Sequence, residues 1–284
     1  MIYLITDYGE KDYFVCALKT VIINFCRILN TNPIILDITH HIDSYNVFEA
    51  LLNIKGMLNI IPNKSVIVGV VDPEVGSNIE GCVSKHIFKN KEIYFIGRNN
   101  GILGAFYKSK HIFTYKIDIK KIEENIKRKG IFYKAGIKEI SKTFHGRDVF
   151  APLSAILYHD TQNNTNLLKE FLSSRIKPLY YKIPTIKKEN NKIVGKIIYT
   201  DKFGNLITNI PIKTVEKAKK VRLVNTNQKI DLKILKNYIE GEKEDLFAVG
   251  DSFGYLEISR FKQSAEKFLE NYGNIWNFRV EAIF

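Results

Sequence analysis

Residues 65–72 read SVIVGVVD, an unbroken apolar run that ends in an acidic residue. A strand covered on both faces has this form, because neither face needs polar side chains. The run therefore predicts a buried strand that ends at Asp72. Two earlier runs have the same character: IYLI (2–5) stops shortly before Asp7, and PIILD (33–37) ends at Asp37.

Helical patterns separate these strands. Apolar residues recur every three or four positions, first after IYLI and again after PIILD, where Pro62 ends the pattern. The two sets are Phe14, Ala17, Leu18, Val21, Ile22 and Phe25, and Val47, Ala50, Leu51, Ile54 and Leu58. A fourth strand, EIYFI (92–96), precedes GRNNG. Alternation of this kind predicts an α/β domain with a mainly parallel sheet flanked by helices.

Polar residues stand where each predicted strand ends. They are Asp7, Asp37, Asp72 and the pair Asn99 and Asn100. Ligands of open α/β sheets bind at the carboxyl ends of the strands, so these residues predict a site at that edge. Aspartate and asparagine also form turns without any ligand, and that alternative stays open.

The pattern changes around residues 173–195, which contain two prolines and a charged run. Short β-type runs with Gly- and Asn-containing turns follow, and no internal repeat is apparent. They are GKIIYT (195–200), LITNI (206–210), KVRLV (220–224), LFAVG (246–250), YLEIS (255–259) and FRVEAIF (278–284). We therefore predict an α/β domain over 1–180 and a smaller all-β, antiparallel, barrel-like domain over 190–284.

Composition limits the possible functions. A length of 284 residues favours two domains, and 45% hydrophobic residues suffice for their cores. The net charge of +13 comes mainly from lysines scattered among glutamates, which favours a solvated basic surface over a nucleic-acid partner. No apolar run is long enough to cross a bilayer, and no secretory signal precedes Asp7, so we expect a cytoplasmic protein. Three cysteines without CxxC spacing predict neither disulfides nor a zinc site.

Histidine is the first residue type to examine for acid–base chemistry. His145 lies in TFHGRDVFAP (143–152), where a turn at a helix entry is the structural alternative. His40 and His41 follow Asp37, whereas His86, His111 and His159 are expected on the surface. A metal site remains a minor alternative, because no tight ligand spacing such as HExxH occurs. Its members would be Asp7, Asp37, His40, His41, Asp72 and His145.

Seven segments in the same order resemble the S-adenosylmethionine (SAM) hydroxide adenosyltransferases, a family related to the fluorinases and chlorinases. They are TDYGEKDYFV (6–15), LDITHHIDSYNV (36–47), VGVVDPEVGS (68–77), NNGIL (99–103), FHGRDVFAP (144–152), DKFGNLITNI (201–210) and DSFGYLEIS (251–259). The resemblance implies hydrolysis of SAM at its ribose C5′ to adenosine and L-methionine, with SAM as substrate and no cofactor. It also implies a homotrimer, in which the β domain completes the site of a neighbouring subunit.

The resemblance further implies roles for individual residues. Asp7 would hold the ribose hydroxyls, and Tyr45 stands where halogenating relatives have an aromatic residue near the ribose. Asp12 and Asp201 would bind the methionine ammonium, and Ser252 would lie near the carboxylate. Asn205 would bond the adenine edge. Phe203 and Tyr238 would supply aromatic surface beside the base.

Asp72 and His145 match two of the three residues with which the family's hydrolases activate water. The third, an arginine, is replaced by Ile79, and Glu74 replaces a usual glycine. Arg98 is a candidate to compensate. The loss of the arginine leaves open a catalytically impaired protein that only binds SAM or adenosine. A halogenase is a further alternative, although the retained Asp72 and His145 favour water as the nucleophile.

Overall fold

The computed structural model of the chain describes residues 1–73 and 80–284. Glu74 and Ile79, the two departures from the family pattern, lie outside the described residues. The chain forms two compact units, Met1–Lys182 and Ile183–Phe284. No helix among the described residues is both long and apolar enough to span a membrane.

The first unit is built on a seven-stranded sheet with the order β2-β1-β3-β5-β4-β6-β7. The strands are β1 (Ile2–Thr6), β2 (Ile35–Thr39), β3 (Ser65–Val70), β4 (Gly81–Phe88), β5 (Lys91–Arg98), β6 (Lys110–Ile117) and β7 (Leu172–Arg175). The helices are α1 (Phe14–Ile28), α2 (Val47–Met57), α3 (Ile119–Lys127), α4 (Ile131–Lys134) and α5 (Ala151–Asn163). Short 3₁₀ segments cover Ile102–Phe106 and Leu167–Phe171, and a π-helical turn at Gly146–Phe150 leads into α5.

Strands β1 and β3 form the buried centre of this sheet, as the apolar runs predict. Every residue of both strands is buried. Helices α1 and α5 cover one face, where Phe25 of α1 packs edge-on against Phe132 with ring centroids 5.1 Å apart. Burial of such aromatic side chains supplies a large share of the free energy that holds a sheet and its helices together.

The sheet is mixed, so the prediction of a mainly parallel sheet describes only one half of it. Strands β2, β1, β3 and β5 pair in parallel, whereas β4, β6 and β7 pair antiparallel. The antiparallel half begins with a hairpin from β4 to β5, whose turn residues Lys89 and Asn90 both have positive φ. Two consecutive left-handed residues match the twist of a two-residue hairpin turn. Strand β4 is not predicted from its sequence, because GCVSKHIF mixes Ser, Lys and His with apolar residues.

The second unit is the predicted antiparallel, barrel-like β domain. Its sheet has the order β12-β11-β15-β9-β10-β14-β13, and β8 pairs with β9. A bridge between Ile234 and Ala248 links the chain after β12 to β13, so the sheet nearly closes on itself. The elements are β8 (Lys187–Glu189), β9 (Lys192–Thr200), β10 (Leu206–Pro211), β11 (Lys220–Val224), β12 (Lys229–Leu232), β13 (Phe247–Gly250), β14 (Tyr255–Ser259), α6 (Ala265–Glu270) and β15 (Arg279–Ile283).

Candidate active site

The first unit contains a cavity of about 260 Å³ at the carboxyl ends of β1 and β3, which we call the N-terminal pocket. Its lining residues are Asp7, Tyr8, Phe14, Ser44, Tyr45, Val70, Asp72, Thr143, His145 and Gly146. Asp7 directly follows β1, and Asp72 lies two residues beyond β3. The parallel pairing of these strands brings the two carboxylates to one edge of the sheet. The pocket therefore unites Asp7, Tyr45, Asp72 and His145, four of the residues singled out in the sequence.

Arg98, the last residue of β5, forms a buried ion pair with Asp72. Arg98 Nε donates to Asp72 Oδ2 across 2.6 Å, and the two side chains are only 6% and 9% exposed. The neighbouring amide of Asn100 donates to the Val71 carbonyl oxygen across 2.9 Å and fixes the chain beside Asp72. The structure thus places a permanent cation against the carboxylate that the sequence singled out.

His145 immediately precedes the π-helical turn, and it lines the same pocket as Asp72. Burial lowers the pKa of His145, and the Arg98 cation lowers it further. The carboxylates of Asp72 and Asp148 oppose this shift. The net lowering keeps the imidazole neutral at pH 7, which is the form that can accept a proton. Single-turn π segments often occur at functional sites.

Asp7 is held by the backbone of a neighbouring loop. The Tyr45 amide donates to Asp7 Oδ2 across 2.9 Å. Tyr45 has a φ of +69°, a conformation that is uncommon for a bulky residue, and its side chain is 65% exposed. Burial raises the pKa of Asp7, and the Asp72 charge adds to this effect, whereas the Tyr45 hydrogen bond opposes it.

An aromatic wall of Tyr8, Phe14 and Phe144, which the sequence did not predict, flanks this pocket. The Tyr8 ring centroid lies 5.5 Å from that of Phe14 and 5.8 Å from that of Phe144. A Cβ at Gly146 would lie 2.5 Å from the Tyr8 hydroxyl oxygen, so the glycine makes room for it. The aromatics within TDYG, DYF and TFHGRD carried this signal, but only the fold brings the three segments together.

Several other candidates lie elsewhere. Asp37 belongs to β2 rather than to its end, and it pairs with Lys19 Nζ at 2.6 Å. The His40 ring is buried against Thr6, and Asp12 is exposed on the turn before α1, outside the pocket lining. Within residues 1–73 and 80–284, no group of three or more His, Cys, Asp or Glu side chains could hold a metal ion.

The second unit contains a separate cavity of about 750 Å³, which we call the C-terminal pocket. It is lined by residues from the β9–β10 turn, the β13–β14 turn and the segment after β14: Asp201, Phe203, Asn205, Ile207, Tyr238, Gly250, Asp251, Ser252, Phe253, Glu257, Arg260, Phe261, Lys262, Gln263 and Ser264. All five residues that the sequence predicted in this domain are among them. They are Asp201, Phe203, Asn205, Tyr238 and Ser252.

Asp201 organises the β9–β10 turn. Its Oδ1 accepts the amides of Phe203 and Asn205 at 2.8 and 2.9 Å, and its Oδ2 accepts the Asn205 side-chain amide at 3.0 Å. A carboxylate has about four lone-pair positions, so Asp201 retains capacity for a further donor. Phe203 at the tip of this turn is 75% exposed, which leaves its ring face available to a flat ligand.

The β13–β14 turn shares part of this arrangement fifty residues later, where Asp251 Oδ1 accepts the Tyr255 amide at 2.7 Å. D-x-F-G occurs at 201–204 and at 251–254. The amide of Asp201 donates to the Asn205 carbonyl at 3.0 Å, and the amide of Asp251 donates to the Tyr255 carbonyl at 2.9 Å. Gly204 and Gly254 both have positive φ, +79° and +86°. The similarity covers one turn and the strands beside it, so it is not an internal repeat of the kind that builds a fold.

Comparisons with known proteins agree with both halves of this picture. The family models for the SAM hydroxide adenosyltransferase N-terminal and C-terminal domains match residues 2–166 and 195–276. The chain is 32% identical over 276 residues, 95% of this chain and 91% of the relative, to an (R)-S-adenosyl-L-methionine hydrolase of Methanocaldococcus jannaschii. It is 24% identical over 213 residues, 74% of each chain, to a protein of the same name from Thermus thermophilus.

Solved structures show the same fold. A crystal structure of an uncharacterized conserved protein from Thermotoga maritima matches with a TM-score of 0.79 and 27% identity, covering 99% of both chains. The resemblance seen in the seven sequence segments is thereby confirmed over both units. The chain belongs to the SAM hydroxide adenosyltransferase family.

Proposed function

We propose that this protein hydrolyses (R)-S-adenosyl-L-methionine at C5′ to adenosine and L-methionine. The observation that carries this proposal is the N-terminal pocket, where a neutral histidine, a carboxylate paired with arginine and a second carboxylate meet at one sheet edge. The family and the names of the two relatives supply the substrate.

In the proposed reaction a water oxygen bonds to C5′ while the C5′–S bond breaks. The electron pair of that bond returns to sulfur, so methionine leaves as a neutral thioether and needs no general acid. The water loses one proton, which the neutral imidazole of His145 accepts. A positioned base typically contributes about 10²–10⁴-fold to such a step. The aromatic wall presents apolar surface beside the pocket, and a water-poor site favours collapse of the sulfonium charge.

Asp72 and Arg98 have distinct roles in this proposal. Asp72 orients the water against His145. Arg98 stabilises the negative charge that develops on the water oxygen as it loses its proton. Arg98 thereby replaces the family arginine whose position Ile79 occupies. The support for this replacement is the buried 2.6 Å contact between Arg98 and Asp72. Loss of one such electrostatic stabiliser costs about 10²–10³-fold in rate in other enzymes.

The remaining candidate residues would bind the substrate. We propose that Asp7 accepts the ribose hydroxyls, with Tyr45 beside the sugar, and that Asn205 bonds the adenine edge between Phe203 and Tyr238. Asp12 and Asp201 would engage the ammonium, and Ser252 the carboxylate. The clustering of five of these residues in the C-terminal pocket supports this assignment.

We also propose a homotrimer, in which the N-terminal pocket of one subunit meets the C-terminal pocket of a neighbour. Each pocket is lined by residues of one unit alone, so neither presents all of the proposed binding groups by itself. Light scattering would give the oligomeric state. Co-expression of Asp72→Asn with Asn205→Ala subunits should restore activity above that of either variant, because mixed trimers regain intact sites. No restoration in verified mixed trimers would contradict sites shared between subunits.

The reaction itself is tested with resolved epimers of SAM in H₂¹⁸O. We expect adenosine and methionine in equal amounts from the (R) epimer, with one ¹⁸O in adenosine. That label reports attack of water on C5′, and Asp72→Asn should abolish it. Tight binding without product would instead identify a binding protein. A chloride- or fluoride-dependent 5′-halo-adenosine would identify a halogenase.

A further inference from the structure

A buried glutamate lines the C-terminal pocket, and none of the assignments above uses it. Glu257 lies in β14 and is 3% exposed. Its Oε1 accepts the Tyr238 hydroxyl at 2.8 Å and the Ser259 hydroxyl at 2.5 Å. Burial of an ionisable group is costly unless its hydrogen bonds are made, so a buried glutamate needs a reason to be there.

The repeated hairpin provides an internal control for this position. Fifty residues before Glu257, at the same place after the D-x-F-G turn, stands Ile207. The two residues are direct partners across β10 and β14, they are buried to 2% and 3% exposure, and both line the pocket. The same hairpin therefore accepts an apolar residue at this position, and its fold does not require an acid.

The difference between the two copies lies in what each residue contacts. Tyr238 arrives from the turn before the 3₁₀ segment Ile239–Gly241 and reaches the β14 copy, where Glu257 accepts its hydroxyl. The Tyr238 ring also packs edge-on against Phe247, with centroids 6.2 Å apart. The hydroxyl and one edge of the ring are thus both anchored, while 45% of the residue stays exposed.

We propose that Glu257 is a positioning residue, which fixes the Tyr238 ring as a wall of the C-terminal pocket for the flat base of the substrate. A ring held in advance loses no rotational freedom when the ligand binds, and that saving appears as affinity. Because the base takes no part in the bonds that form and break at C5′, the contribution of the ring should be equal in the ground and transition states. It should therefore change KM and leave kcat alone. This inference rests on the proposed function in one respect only: it takes the C-terminal pocket as the part of the site that binds the base of the substrate.

The test compares Glu257→Ile, which copies the other hairpin, with Glu257→Gln, which retains an acceptor for Tyr238. We expect Glu257→Ile to raise KM for SAM about tenfold with kcat within about twofold, since tenfold corresponds to about 1.4 kcal/mol, which is within the range for one hydrogen bond. Glu257→Gln should recover much of the affinity. Tyr238→Phe should raise KM similarly, and combining it with Glu257→Ile should add little, because both remove one interaction.

Glu281 offers the matched control. It is a buried glutamate in the same unit, paired with Lys192 and Arg279, and it is not among the residues that line the pocket. Glu281→Ile should lower the melting temperature and leave KM unchanged. A Glu257→Ile enzyme whose KM stays within twofold of wild type, or effects of Tyr238→Phe and Glu257→Ile that multiply, would overturn the proposal.

Failure of the proposed function is distinguishable from failure of this inference. If wild-type protein forms no adenosine from SAM, the hydrolase proposal fails, and the same variants are compared by calorimetric Kd for adenosine. Tenfold weaker adenosine binding by Glu257→Ile would still support the positioning role. An unchanged Kd, or no adenosine binding by wild type, would refute it.

Discussion

Acid should destabilise the first unit through one buried histidine, His86 in β4. This side chain is 0% exposed, stacks on Phe106 at 4.3 Å between ring centroids, and bonds Ser84 Oγ through Nε2 at 2.7 Å. Burial lowers its pKa to about 3, with a smaller contribution from His111. The pKa of an unfolded histidine is about 6.5.

The sign of the effect follows from proton binding. Between pH 6.5 and about 3 the unfolded chain takes up a proton at His86 that the folded unit refuses. The stability associated with neutral His86 is therefore complete above pH 6.5 and is lost as the pH falls. At pH 5 the loss is about 1.5 × 1.36, or ~2 kcal/mol, and it approaches ~5 kcal/mol near pH 3.

Hydrogen exchange of β4 and β6 measures this change within the unit that contains His86. We expect the opening free energy of residues 81–117 to fall more between pH 7.5 and 5 in wild type than in His86→Gln, by about 2 kcal/mol. At a given pH, wild type and variant have the same intrinsic exchange rate and the same contribution from their shared carboxylates. The difference between them therefore reports His86 alone. The control His41→Gln, on an exposed side chain, should behave as wild type. Equal pH responses of wild type and His86→Gln would refute the reasoning.

Three further outcomes concern the pockets. Because burial lowers the pKa of His145, kcat/KM should be flat above pH 7 and should fall with acid only below pH 6.5. A pH profile that bends above 7 would contradict this. Gly146→Ala should reduce kcat/KM at least tenfold, because the added Cβ meets the Tyr8 hydroxyl. Adding Tyr8→Phe should restore part of the rate, and no rescue would show that this contact is not the cause. Asp201→Ala should raise KM by more than tenfold with a small change in kcat, measured by steady-state kinetics, since it releases three hydrogen bonds of the turn; an unchanged KM would exclude a role in binding.

Much of the fold could be predicted because its centre has the simplest pattern. Strands β1 and β3 are buried on both faces, so their sequences are continuously apolar and their ends are marked by Asp7 and Asp72. Strand β2 is different: its residues are partly exposed and it continues to Thr39, so Asp37 lies inside it. In the sequence, Asp37 follows an apolar run just as Asp7 and Asp72 do. Where each strand ends is decided by its pairing with the neighbouring strand.

The remaining features depend on contacts between distant segments. His86 was expected on the surface because KHIF mixes polar and apolar residues, yet the 3₁₀ segment that carries Phe106 covers its ring. This expectation is wrong. The pairing of Arg98 with Asp72 depends on β3 and β5 being parallel neighbours, and neither segment shows this contact by itself. Glu257 drew no attention because nothing local distinguishes a buried glutamate from one facing solvent.

The twin D-x-F-G hairpins separate two tasks that many binding loops combine. Aspartate and glycine fix the backbone in both copies, whereas the second position, Lys202 in one and Ser252 in the other, is exposed and takes no part in that framework. Evolution or a protein engineer can therefore exchange these side chains without redesigning the turn. The same pair of loops could be refitted to a sulfonium compound with a different amino-acid tail while the strands beneath keep their register.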